Sequence, residues 1–202
     1  MTARLPPHYP GMRIGLFGGT FNPPHAGHVL VSEIAIRRLK LDRVWWLVTP
    51  GNPLKRNAGL PPLEERIAAA RKLTRDPRIV VTGLEAQIGT RFTYDTIAYL
   101  TRRARGVRFV WLMGADNLAQ FSRWQRWTDI AALAPVAVVD RPGATRAALA
   151  SKAAQRFAGS RIPEADAPLL PSLAPPAIVF LHDRRLDLSS TILRADAKAH
   201  AR

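Results

Sequence analysis

A chain of 202 residues, 47% of them hydrophobic, is long enough to bury one sizeable core, and no apolar run approaches the ~20 residues that a membrane-spanning helix needs. The absence of cysteine excludes disulfides, zinc ribbons and fingers, and a thiolate nucleophile. Thirty Lys and Arg against fifteen Asp and Glu give a net charge of +15, which favours anionic partners. Fourteen of the basic residues fall in positions 1–100 and sixteen in 101–202, with no basic tail, so the pattern reads as a solvated exterior and no dedicated nucleic-acid surface is expected. The amino-terminal "MTARLPPHYP" lacks a hydrophobic segment of the signal-peptide kind, and a cytoplasmic protein with no membrane partner is expected.

Short β-branched or aromatic runs alternate with amphipathic stretches. "MRIGLF" is a strand and a helix follows over about 25–40; "RVWWLV" is the second strand, with a helix over about 63–75, and "RIVV" is the third. After a connecting loop come a helix near 94–105, the strand "VRFVWLM", helical segments through "NLAQF" and "WTDIAALA", and the strand "PVAVV". A helix over about 145–158, a last strand "AIVFL" and a terminal helix over 190–201 complete the pattern. Residues 161–176 break the rhythm with five prolines, and a surface loop or partly disordered insertion is expected there. The alternation predicts a single α/β domain spanning 1–202: a Rossmann-like, doubly wound parallel sheet of order 3-2-1-4-5 with a further strand.

In that topology, strands 1 and 4 are neighbours and ligands bind where the loops at their carboxyl ends diverge. The two loops so joined are the most unusual in the chain, "GGTFNPPHAGH" and "GADNLAQF". Neither G-x-G-x-x-G in the first loop nor G-x-x-x-x-G-K-[ST] anywhere is present, which argues against an ordinary dehydrogenase or a P-loop enzyme. What remains is a glycine pair that admits close approach of backbone to ligand, then a helix start carrying His25 and His28 on one face, with Gly27 between them. A zinc site lacks an evident set of partners, and no protein metal site is expected.

"GGTFNPPHAGH" resembles the signature of nucleotidyltransferases with a histidine-x-glycine-histidine motif. The remainder is similar to the bacterial nicotinate-mononucleotide adenylyltransferases, through "TPGNPLK", "TRFTYDT", "WLMGADNLAQFSRWQRW", "DRPG" and "LSSTILR" in family order over almost the whole chain. The resemblance implies adenylyl transfer from ATP to nicotinate mononucleotide, giving deamido-NAD and pyrophosphate, with Mg²⁺ accompanying ATP. A nicotinamide-mononucleotide or phosphopantetheine-type transferase is the neighbouring alternative; the phosphopantetheine and flavin enzymes share the first motif but account less well for "SRWQRW" and "TRFTYDT". A basic nucleic-acid-binding protein is a more distant one. The oligomeric state stays open, a homo-oligomer included.

By the same resemblance, His25 and His28 contact the ATP phosphates around the scissile bond, and Arg194 completes the catalytic set from the far side. Gly18, Gly19, Thr20, Gly27, Gly114, Asp116, Arg141, Ser190 and Thr191 belong to the ATP site, Asp116 as the ribose contact and Arg141 near the adenine. Phe21, Asn52, Lys55, Thr93, Tyr94 and Trp124 belong to the mononucleotide site. Trp124 matches the aromatic that stacks on the pyridine, Trp127 is expected in the core, and the amides around Thr93 and Tyr94 match those that take the nicotinate carboxylate. Gln125 stands where relatives often carry a second aromatic, and relatives usually extend by another helical segment beyond the position of Arg194.

Overall fold

Six parallel strands form one sheet in the order β3-β2-β1-β4-β5-β6. They are β1 (Arg13–Gly19), β2 (Arg43–Val48), β3 (Ile79–Thr82), β4 (Arg108–Gly114), β5 (Val136–Val139) and β6 (Ile178–Leu181). The computed structural model describes residues 3–51 and 59–183. The expected order and the further strand are both present.

Near-continuous apolar strands mean that both faces of the sheet are covered. Alternate residues divide between two cores: Ile14, Leu16, Trp45, Trp111 and Val138 face one, and Phe17, Trp46, Val110, Leu112 and Val139 the other. The second face is closed by α1 (Ala26–Arg38), by α2 (Leu63–Leu73) and by a 3₁₀ segment. The first is closed by α3 (Leu84–Ile88), α4 (Thr93–Arg103), α5 (Ala115–Gln120), α6 (Trp127–Leu133), α7 (Thr145–Leu149) and α8 (Lys152–Arg156). Among the described residues no helix is long and apolar enough to cross a membrane.

Three local expectations are corrected. The proline-rich stretch is neither a loose loop nor disordered. Arg161 pairs with Ile178 beside β6, and Glu164–Ser172 form a 3₁₀ segment whose Ala167, Leu170 and Pro171 are buried against the sheet. Proline's fixed φ suits a 3₁₀ turn, where fewer backbone donors are needed than in an α-helix, so prolines set the conformation here instead of abolishing it. The single helix over 145–158 is two short ones, because Ser151 adopts extended backbone and caps the second by accepting from the Ala154 amide. The supposed connecting loop after β3 contains α3, closed by Gly89 at φ 66°. The terminal helix falls outside the described residues.

Candidate active site

β1 ends in Gly18 and Gly19 with Trp111 of β4 directly beside them. A Cβ built on Gly18 would lie 2.7 Å from the Trp111 ring, so only glycine lets the two strands and the loop between them close. Phe21 follows in left-handed backbone, φ 48°, an unusual state for a bulky residue. Its ring holds it there: 1% exposed, it stacks on Trp46 at 4.7 Å and 16°. Phe21 therefore faces the core, and any contact it makes with a ligand is made by its backbone. The loop turns through a cis Asn22–Pro23 bond and arrives at His25.

His25 is the N-cap of α1 and His28 lies three residues on. The Gly27 amide donates to His25 Nδ1 at 3.1 Å, and the His25 amide donates to His28 Nδ1 at 3.2 Å. The rings thus cap the helix reciprocally, a role usually given to Ser or Thr with Glu. With both Nδ1 atoms accepting, a neutral ring must carry its proton on Nε2. The Nε2–H groups are thus the imidazole donors at this end of the helix, the amides of His25 and Gly27 being used by the cap. No acidic residue lies in the first turn of α1, which keeps the positive end of the helix dipole available to an anion.

Both rings stay neutral well below neutral pH. Burial, reinforced by the Arg141 charge, lowers His25 from 6.5 to about 4. Burial, with His25 and then Arg141, lowers His28 to about 3. The ring centroids are 3.8 Å apart, and Phe17, Phe21 and Trp46 surround His28 at 5.9, 4.8 and 5.9 Å.

Across the crevice, β4 ends at Gly114 and β5 at Val139, followed by Asp140 and Arg141. Asp116, in the first turn of α5, accepts from the Arg141 guanidinium at 3.3 Å. A Cβ on Gly114 would meet Asp116 Oδ1 at 2.5 Å and Arg141 Cδ at 2.8 Å, so that glycine makes room for the pair. Buried Asp140 accepts from the Arg141 amide at 2.8 Å and from the Thr145 hydroxyl, fixing the turn. Gly27, Leu30, Val31, Ile34, Val139, Asp140, Arg141 and Pro142 line an open cleft beside α1.

On the other side of β1, Thr93 and Tyr94 begin α4, whose N-terminus has no side-chain cap. The Arg126 guanidinium lies 3.5 Å over the Tyr94 ring and donates to Asp129 at 2.8 Å. Trp124, two residues before Arg126, packs edge-on against Trp111 at 6.2 Å and Phe121 at 5.4 Å, which links it to the wall behind Gly18. Trp127 is only partly buried, against Phe121 and Phe157, so the two tryptophans divide less sharply between core and site than expected.

The structure thus gathers His25, His28, Gly18, Gly19, Thr20, Gly27, Gly114, Asp116 and Arg141 around one crevice, with Thr93, Tyr94 and Trp124 to its side. Asn52, Lys55, Ser190, Thr191 and Arg194 lie outside the described residues. Among the described residues no group of three or more His, Asp or Glu could hold a metal ion.

Besides Asp140, two buried charged residues were not anticipated. Arg66 of α2 is 3% exposed and donates only to backbone carbonyls, and Glu85 of α3 is 5% exposed. Burial pushes the Glu85 carboxyl up, opposed by hydrogen bonds with Thr49 and Thr96, the latter at 3.0 Å. An arginine at the i−4 position from apolar Ala70, on the buried side of an amphipathic helix, was a legible signal for Arg66. Nothing local marks Glu85.

The protein-family model described as cytidylyltransferase-like matches residues 16–196. The chain is 61% identical over 183 residues to a protein of Methylorubrum extorquens named "Probable nicotinate-nucleotide adenylyltransferase", covering 91% of this chain and 99% of that one. It is 56% identical over 183 residues to the protein of the same name in Brucella abortus, covering 91% and 94%. A solved structure of the Plasmodium falciparum nicotinic acid mononucleotide adenylyltransferase complexed with NaAD shares the fold, with a TM-score of 0.67 at 15% identity over 91% of this chain and 83% of that one. The chain belongs to the cytidylyltransferase-like family, among the nicotinate-nucleotide adenylyltransferases.

Proposed function

We propose that the chain transfers the adenylyl group of ATP to nicotinate mononucleotide, forming deamido-NAD and pyrophosphate. The observation that carries this is the pair of neutral histidines capping α1 at the carboxyl end of β1, whose Nδ1 atoms accept from backbone amides and so leave the ring protons on Nε2. A phosphate oxygen of the mononucleotide attacks the α-phosphorus of ATP, and the bond from that phosphorus to the bridging oxygen of pyrophosphate breaks. The attacking phosphate has a second pKa of about 6 and is already ionised near neutrality, so no side-chain base is required. Acceleration comes from aligning two anions and from donors aimed at charge growing on the leaving group.

His25 and His28 supply those donors without a proton transfer, since both are neutral at working pH. An N–H donor set suits phosphate oxygens and not a cation; Mg²⁺ carried by ATP would neutralise phosphate charge there. Asp116, held by Arg141, accepts from the ribose hydroxyls. Gly18, Gly19 and Thr20 let the chain lie against the nucleotides, with Gly27 and Gly114 keeping the crevice low. Ser190, Thr191 and Arg194 are assigned to the far phosphates, and Asn52 and Lys55 to the mononucleotide. The uncapped start of α4 at Thr93 and Tyr94 prefers a carboxylate to a neutral carboxamide, and Trp124 stacks on the pyridine. We place the reaction in the cytoplasm.

Incubation with Mg-ATP and either the acid or the amide mononucleotide, with product resolved by chromatography, tests this. The acid should give deamido-NAD at the higher kcat/KM. Adenylylation of another phosphate acceptor with neither dinucleotide formed would overturn the assignment.

A further inference from the structure

Arg66 touches no side chain assigned to a nucleotide, yet it joins the two loops that frame the mononucleotide side of the crevice. Its Nε donates to the Pro61 carbonyl at 2.9 Å, Nη1 to the carbonyls of Thr20 and Thr49 at 2.8 Å each, and Nη2 to the Pro50 carbonyl at 3.2 Å. Thr20 directly follows the glycine pair after β1. Thr49 and Pro50 open the loop after β2 that leads to Asn52 and Lys55, and Pro61 precedes α2. One planar cation therefore ties together three backbone stretches that are remote in sequence.

Only arginine can do this. Its guanidinium offers five N–H groups in a rigid fork, whereas a lysine ammonium is a single point on a flexible stem and cannot span carbonyls on opposite sides. The cost of burying the charge is offset by carbonyl dipoles, and burial lowers the guanidinium's pKa without discharging it. The same strap extends on its far side: the Thr49 amide donates to the Gly19 carbonyl at 3.0 Å and the Thr49 hydroxyl to that of Gly51 at 2.9 Å. Beyond it Glu85 joins Thr49 to Thr96 in the first turns of α4. The loops after β1 and β2 and the start of α4 are thus fastened to each other from behind.

We propose that Arg66 is a positioning residue for adenylyl transfer, setting the loop after β2 against the loop after β1 so that the acceptor phosphate lies in line with the α-phosphorus of ATP. The proposal rests on the function proposed above. It separates the two substrates by degree: of the carbonyls Arg66 holds, that of Thr20 belongs to the loop after β1 assigned to ATP, whereas those of Thr49 and Pro50 belong to the loop after β2 assigned to the acceptor, so loosening the clamp disturbs the acceptor more than ATP. A displacement of about 1 Å at reacting atoms costs on the order of 100-fold in rate.

Steady-state kinetics of the whole chain with Arg66→Met, which keeps volume and removes every donor, and Arg66→Lys test it, each rate divided by the folded fraction from circular dichroism. Arg66→Met should lose on the order of 100-fold in kcat and raise KM for nicotinate mononucleotide about tenfold, with KM for ATP within about threefold. Arg66→Lys should recover part of kcat, and guanidinium ion at millimolar concentration should restore activity to Arg66→Met. Wild-type kcat and KM per folded molecule, an equal rise in both KM values, or collapse of both variants to unfolded chain would make Arg66 a purely structural residue and overturn the proposal. A wild-type chain that makes no deamido-NAD would instead overturn the function itself.

Discussion

Lowering the pH from about 7.5 to about 5.5 should destabilise this protein through the histidine pair. His25 and His28 are held near 4 and 3 in the folded chain, against 6.5 when exposed. Between those values the unfolded state binds more protons than the folded one, so stability falls as pH falls, starting near 6.5. At pH 5.5, one unit below the free value, each ring kept neutral costs about RT ln 11, or about 1.4 kcal/mol. His25 is 5% exposed and counts nearly in full, while half-buried His28 counts for less because solvent screens it, giving about 2–3 kcal/mol for the pair. The reference is His25→Asn/His28→Asn, whose amide oxygens stand in for both Nδ1 acceptors and keep the cap without titrating. Urea unfolding of both proteins at the two pH values isolates the pair, since every other titrating group is common to them. The wild type should lose about 2–3 kcal/mol more than the variant. Equal losses would mean that the rings are not held neutral, and the assignment of Nε2–H donors would fall with that result.

His28→Asn alone should retain the fold and lower kcat on the order of 100- to 1,000-fold, the usual effect of removing one donor to a developing anion; stopped assays with saturating substrates would show it, and near-normal turnover would remove His28 from the mechanism. Gly114→Ala should push apart Asp116 and Arg141, the nearest atoms lying at 2.5 and 2.8 Å, and raise KM for ATP about tenfold with a smaller change for the mononucleotide. Phe21→Ala should empty the stack on Trp46 and cost about 3–5 kcal/mol, read as a drop in melting temperature; a loss below about 1 kcal/mol would contradict the burial of that ring.

What the amino-acid order determined here is what short spacings can carry. Parallel strands buried on both faces appear as continuous apolar runs, and helices between them appear as 3.6-residue periodicity, so "RVWWLV" and "VRFVWLM" announced a doubly wound sheet. Histidines three apart at a helix start announced a shared face, because one turn of helix brings them together whatever the rest of the chain does. The proline-rich stretch misled for the same reason: its composition excludes an α-helix locally, while the burial of Ala167, Leu170 and Pro171 against β6 and α1's face of the sheet decides that it is ordered. Only the tertiary structure decided that Phe21 turns into the core, that the histidine rings cap their own helix and so carry their protons on Nε2, and that Asp116 meets Arg141. Only it put Arg66 of α2 behind the carbonyls of Thr20, Thr49 and Pro50. Those contacts join residues 16 to 46 positions apart through backbone carbonyls, which every residue type possesses, so no pattern of side chains could have encoded them.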